Sequence, residues 1–203
     1  MRQLSLFLVF SALISGFSLR GQTAFEYYNI ALVKYQMRDY KQAIVDLDRA
    51  IELNPDYTVA YNLRGASKFS IEDYEGAIED YSQAIDIQRR RISRMSLTIY
   101  DRRGNVLDSH RPSDVDEGLA ISYYNRAIVK LTIEDLEGAI EDYTLALEYD
   151  PALVQIYLHR GMLKQELDDM EGACSDFMQG EEHDVPGATE MLQEYCDQDQ
   201  PDN

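Results

Sequence analysis

Residues 71–86, IEDYEGAIEDYSQAID, are nearly reproduced at 133–148, IEDLEGAIEDYTLALE, an offset of 62 positions. A related phrase, MRDYKQAIVDLDRAIELNP at 37–55, precedes the first copy by 34 positions. Self-similarity at such a period means a small supersecondary unit stacked on copies of itself, because one unit alone cannot bury its apolar face. Aligning on Pro55 and Pro151 gives four units, 24–57, 58–91, 120–153 and 154–187, with 28 further residues, 92–119, between the second and third.

Each unit reads as two helices. The first carries a large residue and, four positions on, a small one: Tyr27 and Ala31, Tyr61 and Gly65, Tyr123 and Ala127, Tyr157 and Gly161. Small residues let two helices approach closely. The second helix repeats the device with Ala43, Ala77, Ala139 and Ala173, then Ala50, Ala84, Ala146 and Gly180. Leu47, Tyr81, Tyr143 and Phe177 lie between them as space-fillers. Asp39, Asp73, Asp135 and Asp169 stand where a carboxylate accepts the orphan N–H groups of a helix start. Asn54-Pro55 and Asp150-Pro151 end helices.

The period and phrasing resemble the tetratricopeptide repeat (TPR), a family of antiparallel helix pairs. The fourth unit departs from the family pattern, with Gly180 and Val185 in place of the usual Ala and Pro. The resemblance implies an all-α fold. It is a right-handed α-solenoid of four helix hairpins, with a small insertion between repeats two and three and a C-terminal capping helix from Ala188 to about Tyr195. It also implies a non-catalytic role in binding a protein or peptide through the concave groove lined by the first helices. Carried over position by position, the groove residues are Tyr28, Leu32 and Tyr35, then Asn62, Ala66 and Phe69. Tyr124, Asn125, Ile128 and Leu131 follow from unit three, with His159 and Met162 from unit four. Family members that clamp a terminal carboxylate use Lys and Asn where this chain has Tyr28 and Leu32, so a carboxylate clamp is rejected. An aromatic and aliphatic groove remains, with Asn62 and Asn125 able to bond a ligand backbone.

The first 21 residues differ from all that follow. Arg2 precedes an uncharged apolar run, Leu4 to Leu19, and Gly21 offers a small residue for cleavage. The run is shorter than the roughly 20 apolar residues of a membrane span, which favours a signal peptide over an anchor helix. The expectation is export to the periplasm or outside the cell, with no membrane span once the leader is removed. The remainder divides into 22–91 (units one and two), 92–119, 120–187 (units three and four) and 188–203 (cap helix and tail).

The formal charge is −18, a field that repels nucleic acid and anionic membranes. The sign reverses locally. Residues 89–111 hold Arg89, Arg90, Arg91, Arg94, Arg102, Arg103 and Arg111 against Asp101 and Asp108, a net of +5. From Gln22 onward the charge is −20, so the rest of that span carries −25. This basic patch reads as a tab for an acidic partner, or as a tolerated surface insertion. Within it, SLTIY and NVLDS flank Asp101-Arg102-Arg103-Gly104, which predicts a small β-hairpin. The other reading continues the helix of unit two to Met95.

Cys174 and Cys196 are the only cysteines. In an exported chain an even count predicts a disulfide, here between the last unit and the cap helix; the alternative is two free thiols. The pairs Glu72-Asp73, Glu79-Asp80, Glu134-Asp135 and Glu141-Asp142 point about 100° apart on a helix and do not converge on one ligand, so they read as solvated faces and helix starts. No metal site, cofactor or catalytic group is expected. The competing classes are an enzyme or accessory subunit with a site at the 92–119 insertion, near His110, and a homo-oligomer joined through the open ends of the stack.

Overall fold

A computed structural model of the chain describes residues 22–95, 99–100, 106–108 and 113–196, with side chains for 22–93 and 117–196. The leader, the tail beyond Cys196, the turn at 101–105, the side chain of Arg94, and Arg102, Arg103, His110 and Arg111 lie outside the described residues. The helices run α1 (Ala24–Gln36), α2 (Tyr40–Leu53), α3 (Thr58–Phe69), α4 (Tyr74–Met95), α5 (Ser113–Thr132), α6 (Leu136–Tyr149), α7 (Gln155–Glu166), α8 (Met170–Glu182) and α9 (Ala188–Tyr195). Two short strands, β1 (Ile99–Tyr100) and β2 (Val106–Asp108), pair antiparallel between α4 and α5. The fold is an α-solenoid of four helix hairpins closed by α9. No helix among the described residues is long and apolar enough to cross a membrane.

Local chemistry sets each start and stop. Thr23 and Glu26 form a reciprocal capping box on α1, with Glu26 N donating to Thr23 Oγ1 at 3.2 Å and Thr23 N to Glu26 Oε2 at 2.8 Å. Second helices start on Asp39, Asp73, Asp135 and Asp169, whose carboxylates accept from Gln42, Gly76, Gly138 and Gly172 N. Gly in a first helical turn is otherwise unfavourable. Here it is explained by space, since a Cβ at Gly76, Gly138 or Gly172 would run into the capping carboxylate. The turn between paired helices places Arg38, Glu72, Glu134 and Asp168 in the left-handed region, at φ 62, 66, 64 and 61°.

The small residues do what their spacing implies. Ala31, Ala43, Ala50, Ala77, Ala84, Ala127, Ala139, Ala146 and Ala173 have no exposed surface. Leu47, Tyr81, Tyr143 and Phe177 are buried between them. A Cβ on Gly161 would lie 2.6 Å from Phe177 Cε1, so that ring occupies the space the glycine leaves.

A second network joins each unit to the one before it. Arg64 donates to both oxygens of Asp80 at 2.9 and 2.6 Å, and through Nη1 to Asp48 of unit one at 2.6 Å. Arg126 holds Asp142 at 2.8 and 2.7 Å and reaches back to Ser82 Oγ at 2.9 Å. Arg160 holds Asp176 at 2.9 and 2.5 Å and reaches back to Thr144 Oγ1 at 3.0 Å. Lys68, Lys130 and Lys164 bring their Nζ within 2.9 Å of the same three carboxylates. The reading of Glu79-Asp80 and Glu141-Asp142 as solvated faces is therefore corrected. The glutamates are exposed, but Asp80 and Asp142 are buried and doubly paired. The same 100° step that separates the two acids turns one to water and the other inward. Burial alone would lower the Arg64 and Arg126 pKa values; the bonds and charges of Asp80, Asp48 and Asp142 more than offset it and hold both guanidiniums above their ordinary value.

The insertion is shorter in space than in sequence. Helix α4 runs on to Met95, past the end of unit two, and α5 begins at Ser113, before the start of unit three. Nothing in RRRISRM breaks a helix. Ile85, Leu119 and Tyr123 are buried in one cluster with part-buried Ile92, so the two extensions pack on each other. At their base the Ser122 hydroxyl lies within 3.0 Å of Gly118 O and Asn62 Oδ1, and 3.3 Å from Gln88 Oε1. At the other end Val185 and Ala188 are buried beside Gly180, and α9 is brought so close to α8 that Cys174 and Cys196 Sγ lie 2.02 Å apart.

Asp142→Ala is expected to destabilise the chain by about 3–5 kcal/mol, because it leaves Arg126 buried without its partner; urea titration measures this. Glu134→Gly, which relieves a left-handed non-glycine residue whose side chain is exposed, should raise stability by about 0.5–1 kcal/mol.

Candidate functional site

The first helices α1, α3, α5 and α7 place the groove candidates along one side of the stack, and those residues divide into two halves with different surroundings. In units one and two the aromatic rings pack on neighbours. Tyr28 lies 5.5 Å from Tyr57 between centroids, Tyr35 5.4 Å from Tyr40, and Phe69 5.8 Å from Tyr74. Tyr28 and Tyr35 join the apolar cluster around Leu47, and Phe69 that around Tyr81. Leu32 and Ala66 are half-buried. The Ser122 hydroxyl lies 3.0 Å from Asn62 Oδ1, so the oxygen of that amide is engaged within the stack. Asn125 is half-buried and has no partner among the described residues.

Units three and four enclose a cavity of about 600 Å³ lined by Tyr124, Ile128, Leu131, Tyr143, His159, Met162, Leu163, Gln165 and Glu166. The structure thus brings together five of the predicted groove residues: Tyr124, Ile128, Leu131, His159 and Met162. A smaller cavity of about 410 Å³ adjoins it, sharing Tyr124 and His159 and reaching Val185 and Pro186 beside the cap helix. The floor is aromatic, with Tyr143 centred 6.0 Å from Tyr124 and 6.2 Å from His159. Glu166 carries the one carboxylate of the lining.

Four lining residues were not among the sequence candidates. Gln165 occupies the twelfth position of its unit, as Tyr35, Phe69 and Leu131 do in theirs, so the positional rule already pointed to it. Glu166 is its neighbour. Leu163 is largely buried at the inter-unit seam. Tyr143 reads as a core-filler, and it is one, but its ring also forms the cavity floor. Burial pushes the Tyr143 phenol up to about 12 and raises Tyr81 above its ordinary value as well. At neutral pH the Tyr143 phenol is therefore an uncharged part of the floor.

The basic patch is described only in part. Arg89, Arg90 and Arg91 are exposed on α4. The described residues hold no group of three His, Cys, Asp or Glu side chains placed to bind a metal ion.

Profiles of the tetratricopeptide repeat match residues 24–57, and 59–91 and 120–153. The chain is a tetratricopeptide-repeat protein. The matched residues are those of units one to three, and the fourth TPR unit follows from its geometry and its clasp. No curated protein matches the chain significantly. Among solved structures, a crystal structure of MamA is similar at 17% identity and TM-score 0.62, covering 82% of this chain and 81% of that one. The first TPR domain of Spaghetti (RPAP3), bound to an HSP90 peptide, is similar at 18% identity and TM-score 0.56, covering 72% and 94%. The N-terminal domain of stress-induced protein-1 from C. elegans is similar at 20% identity and TM-score 0.52, covering 70% and 94%. At these identities the likeness is one of fold.

A phenolate titration followed by near-ultraviolet absorbance should show late-ionising tyrosines, and Tyr143→Phe should remove one. Because the folded pKa is raised, the stability that protonated Tyr143 contributes is full below the unfolded value of 10.0 and is lost as pH rises toward about 12.

Proposed function

We propose that this TPR stack is a non-catalytic adaptor that binds a protein segment through the cavity of units three and four. The supporting observation is the cavity itself, about 600 Å³ lined mainly by aliphatic and aromatic side chains with one carboxylate among them. Such a site takes two or three apolar side chains from an extended or helical segment. It offers no lysine or arginine for a terminal carboxylate among its lining residues, and unit one carries Tyr28 and Leu32 where a carboxylate clamp needs Lys and Asn. The Spaghetti domain is seen with an HSP90 peptide; the present groove calls for a ligand of different chemistry. Peptide binding rather than catalysis also suits a lining without a nucleophile beside a base.

The setting proposed is the cell envelope or the exterior, from the apolar run at 4–19 preceded by Arg2. A disulfide between Cys174 and Cys196 fits that setting. Closing the 22-residue separation would add on the order of 3 kcal/mol and hold α9 over the end of unit four. Mass spectrometry of the native protein should give an N-terminus at Gln22, and thiol labelling without reductant should find no free thiol; two labelled cysteines would refute the bridge.

Leu131→Asp with Met162→Asp alters two exposed positions of the lining, so the fold should survive. Losing two apolar anchors should weaken ligand capture at least about tenfold. Affinity capture from the native extract, with wild-type and doubly substituted baits of equal melting temperature, decides the matter. Equal capture would exclude this cavity as the main site.

A further inference from the structure

Residues 117–196, which build units three and four and the cap, hold 18 Asp and Glu against four Lys and Arg, a net of −14. All four cations are engaged by two buried carboxylates. Arg126 and Lys130 converge on Asp142, and Arg160 and Lys164 on Asp176, each with a nitrogen within 2.9 Å of a carboxylate oxygen. Lys130 and Lys164 stand in the last turns of α5 and α7, where a lysine ordinarily offsets the negative pole of a helix. Here each Nζ is held by its aspartate and by the carbonyl of Gly138 or Gly172, and neither lysine lines the cavity. The same two last turns supply Leu131, Gln165 and Glu166 to the lining of the larger cavity. One end of the hollow is therefore bounded by two helix C-termini and by the exposed Glu166 carboxylate. Ile128, Leu131 and Met162 give the same hollow its aliphatic surface. Together the two cavities follow α7 from Gln155 to Glu166, roughly 16 Å at the helical rise and the span of about five extended residues.

Taking this cavity as the binding site proposed above, we infer that its ligand is a basic as well as an apolar segment. Apolar side chains of the segment pack on Ile128, Leu131 and Met162, and a lysine or arginine beside them faces Glu166. Charge complementarity selects this occupant. An acidic segment would meet a carboxylate, two helix C-termini and a net of −14, with every lysine and arginine of units three and four already held by an aspartate. A long basic side chain suits both parts of the lining, since its methylene stem lies on apolar surface while its charge reaches the carboxylate. The exposed Arg89, Arg90 and Arg91 stand on α4 and line neither cavity.

The probe is a set of acetylated and amidated peptides of about nine residues, long enough to span the hollow. Each carries two leucines at varied spacing and one further position occupied by Lys, Gln or Glu. Fluorescence anisotropy against the chain from Gln22 to Asn203, at about 0.15 M salt, reads their affinities. The tightest peptides should carry Lys, and exchanging it for Glu should weaken them at least about tenfold. Glu166→Gln should reduce that ratio at least about threefold while leaving the Gln peptide unchanged. Glu141→Gln removes the same charge at an exposed site of α6 outside the lining and should leave the ratio alone. Lys and Glu peptides that bind equally, with the Gln peptide lost in the Leu131→Asp, Met162→Asp variant, would overturn the basic ligand and keep the cavity. A Lys preference that Glu166→Gln and Glu141→Gln diminish alike would overturn it too, since the field of the whole chain then attracts the peptide. A Gln peptide that the double variant binds as tightly as the wild type does would instead contradict the cavity as the site, and the basic ligand with it.

Discussion

The stack depends on one repeated ion pair. A guanidinium on the first helix of a unit grips a buried aspartate sixteen residues on, and its remaining nitrogen reaches the second helix of the preceding unit. A buried carboxylate is expensive unless paired and hydrogen-bonded. Asp80, Asp142 and Asp176 meet that requirement with a two-pronged arginine and a lysine each. The arginine also lies over the tyrosine three residues before it, 5.3 to 5.9 Å from the ring centre in the three units. Pair, ring and back-contact together fix the relation of the two helices within a unit and of the unit to its predecessor. Solenoid stability comes largely from such nearest-neighbour terms, and here one side chain serves both.

This arrangement leaves the open side of the first helices to other chemistry. The clasp takes up the charged residues that face inward, and Tyr124, Ile128, Leu131 and Met162 surround a cavity whose lining carries a single carboxylate. The two halves of the stack are not equivalent. Between units one and two the rings of Tyr28, Tyr35 and Phe69 fold onto neighbouring rings, whereas units three and four leave a hollow above Tyr143. The long helices α4 and α5 come between the halves and bring the Ser122 hydroxyl to the amide oxygen of Asn62.

The period, the helix pairs and the small-residue seams were legible in the sequence because backbone approach admits few side chains. Ala43, Ala139 and Gly161 announce their positions by size alone. The clasp was equally present in the letters, as Arg64, Arg126 and Arg160 each sixteen residues before an aspartate. It was missed because two adjacent acids suggest a solvated surface, although a helix must turn one of them elsewhere. The extent of the insertion was less legible. Whether α4 ends at Arg91 or Met95 is decided by packing of Ile92 and Leu119 across the two helices, and helix propensity alone is neutral on it. The cavity was only partly legible, since the positional rule names residues that face the groove but cannot say which rings pack tilted or edge-on against neighbouring rings.

The central claim is that a ligand enters the hollow of units three and four. Methyl-resolved NMR of the protein with its captured partner peptide tests it most directly. The account predicts that the methyl signals of Ile128, Leu131 and Met162 shift on binding while that of Leu32 stays in place. Shifts confined to Leu32 and its neighbours in units one and two, with the unit-three and unit-four methyls unmoved, would contradict it.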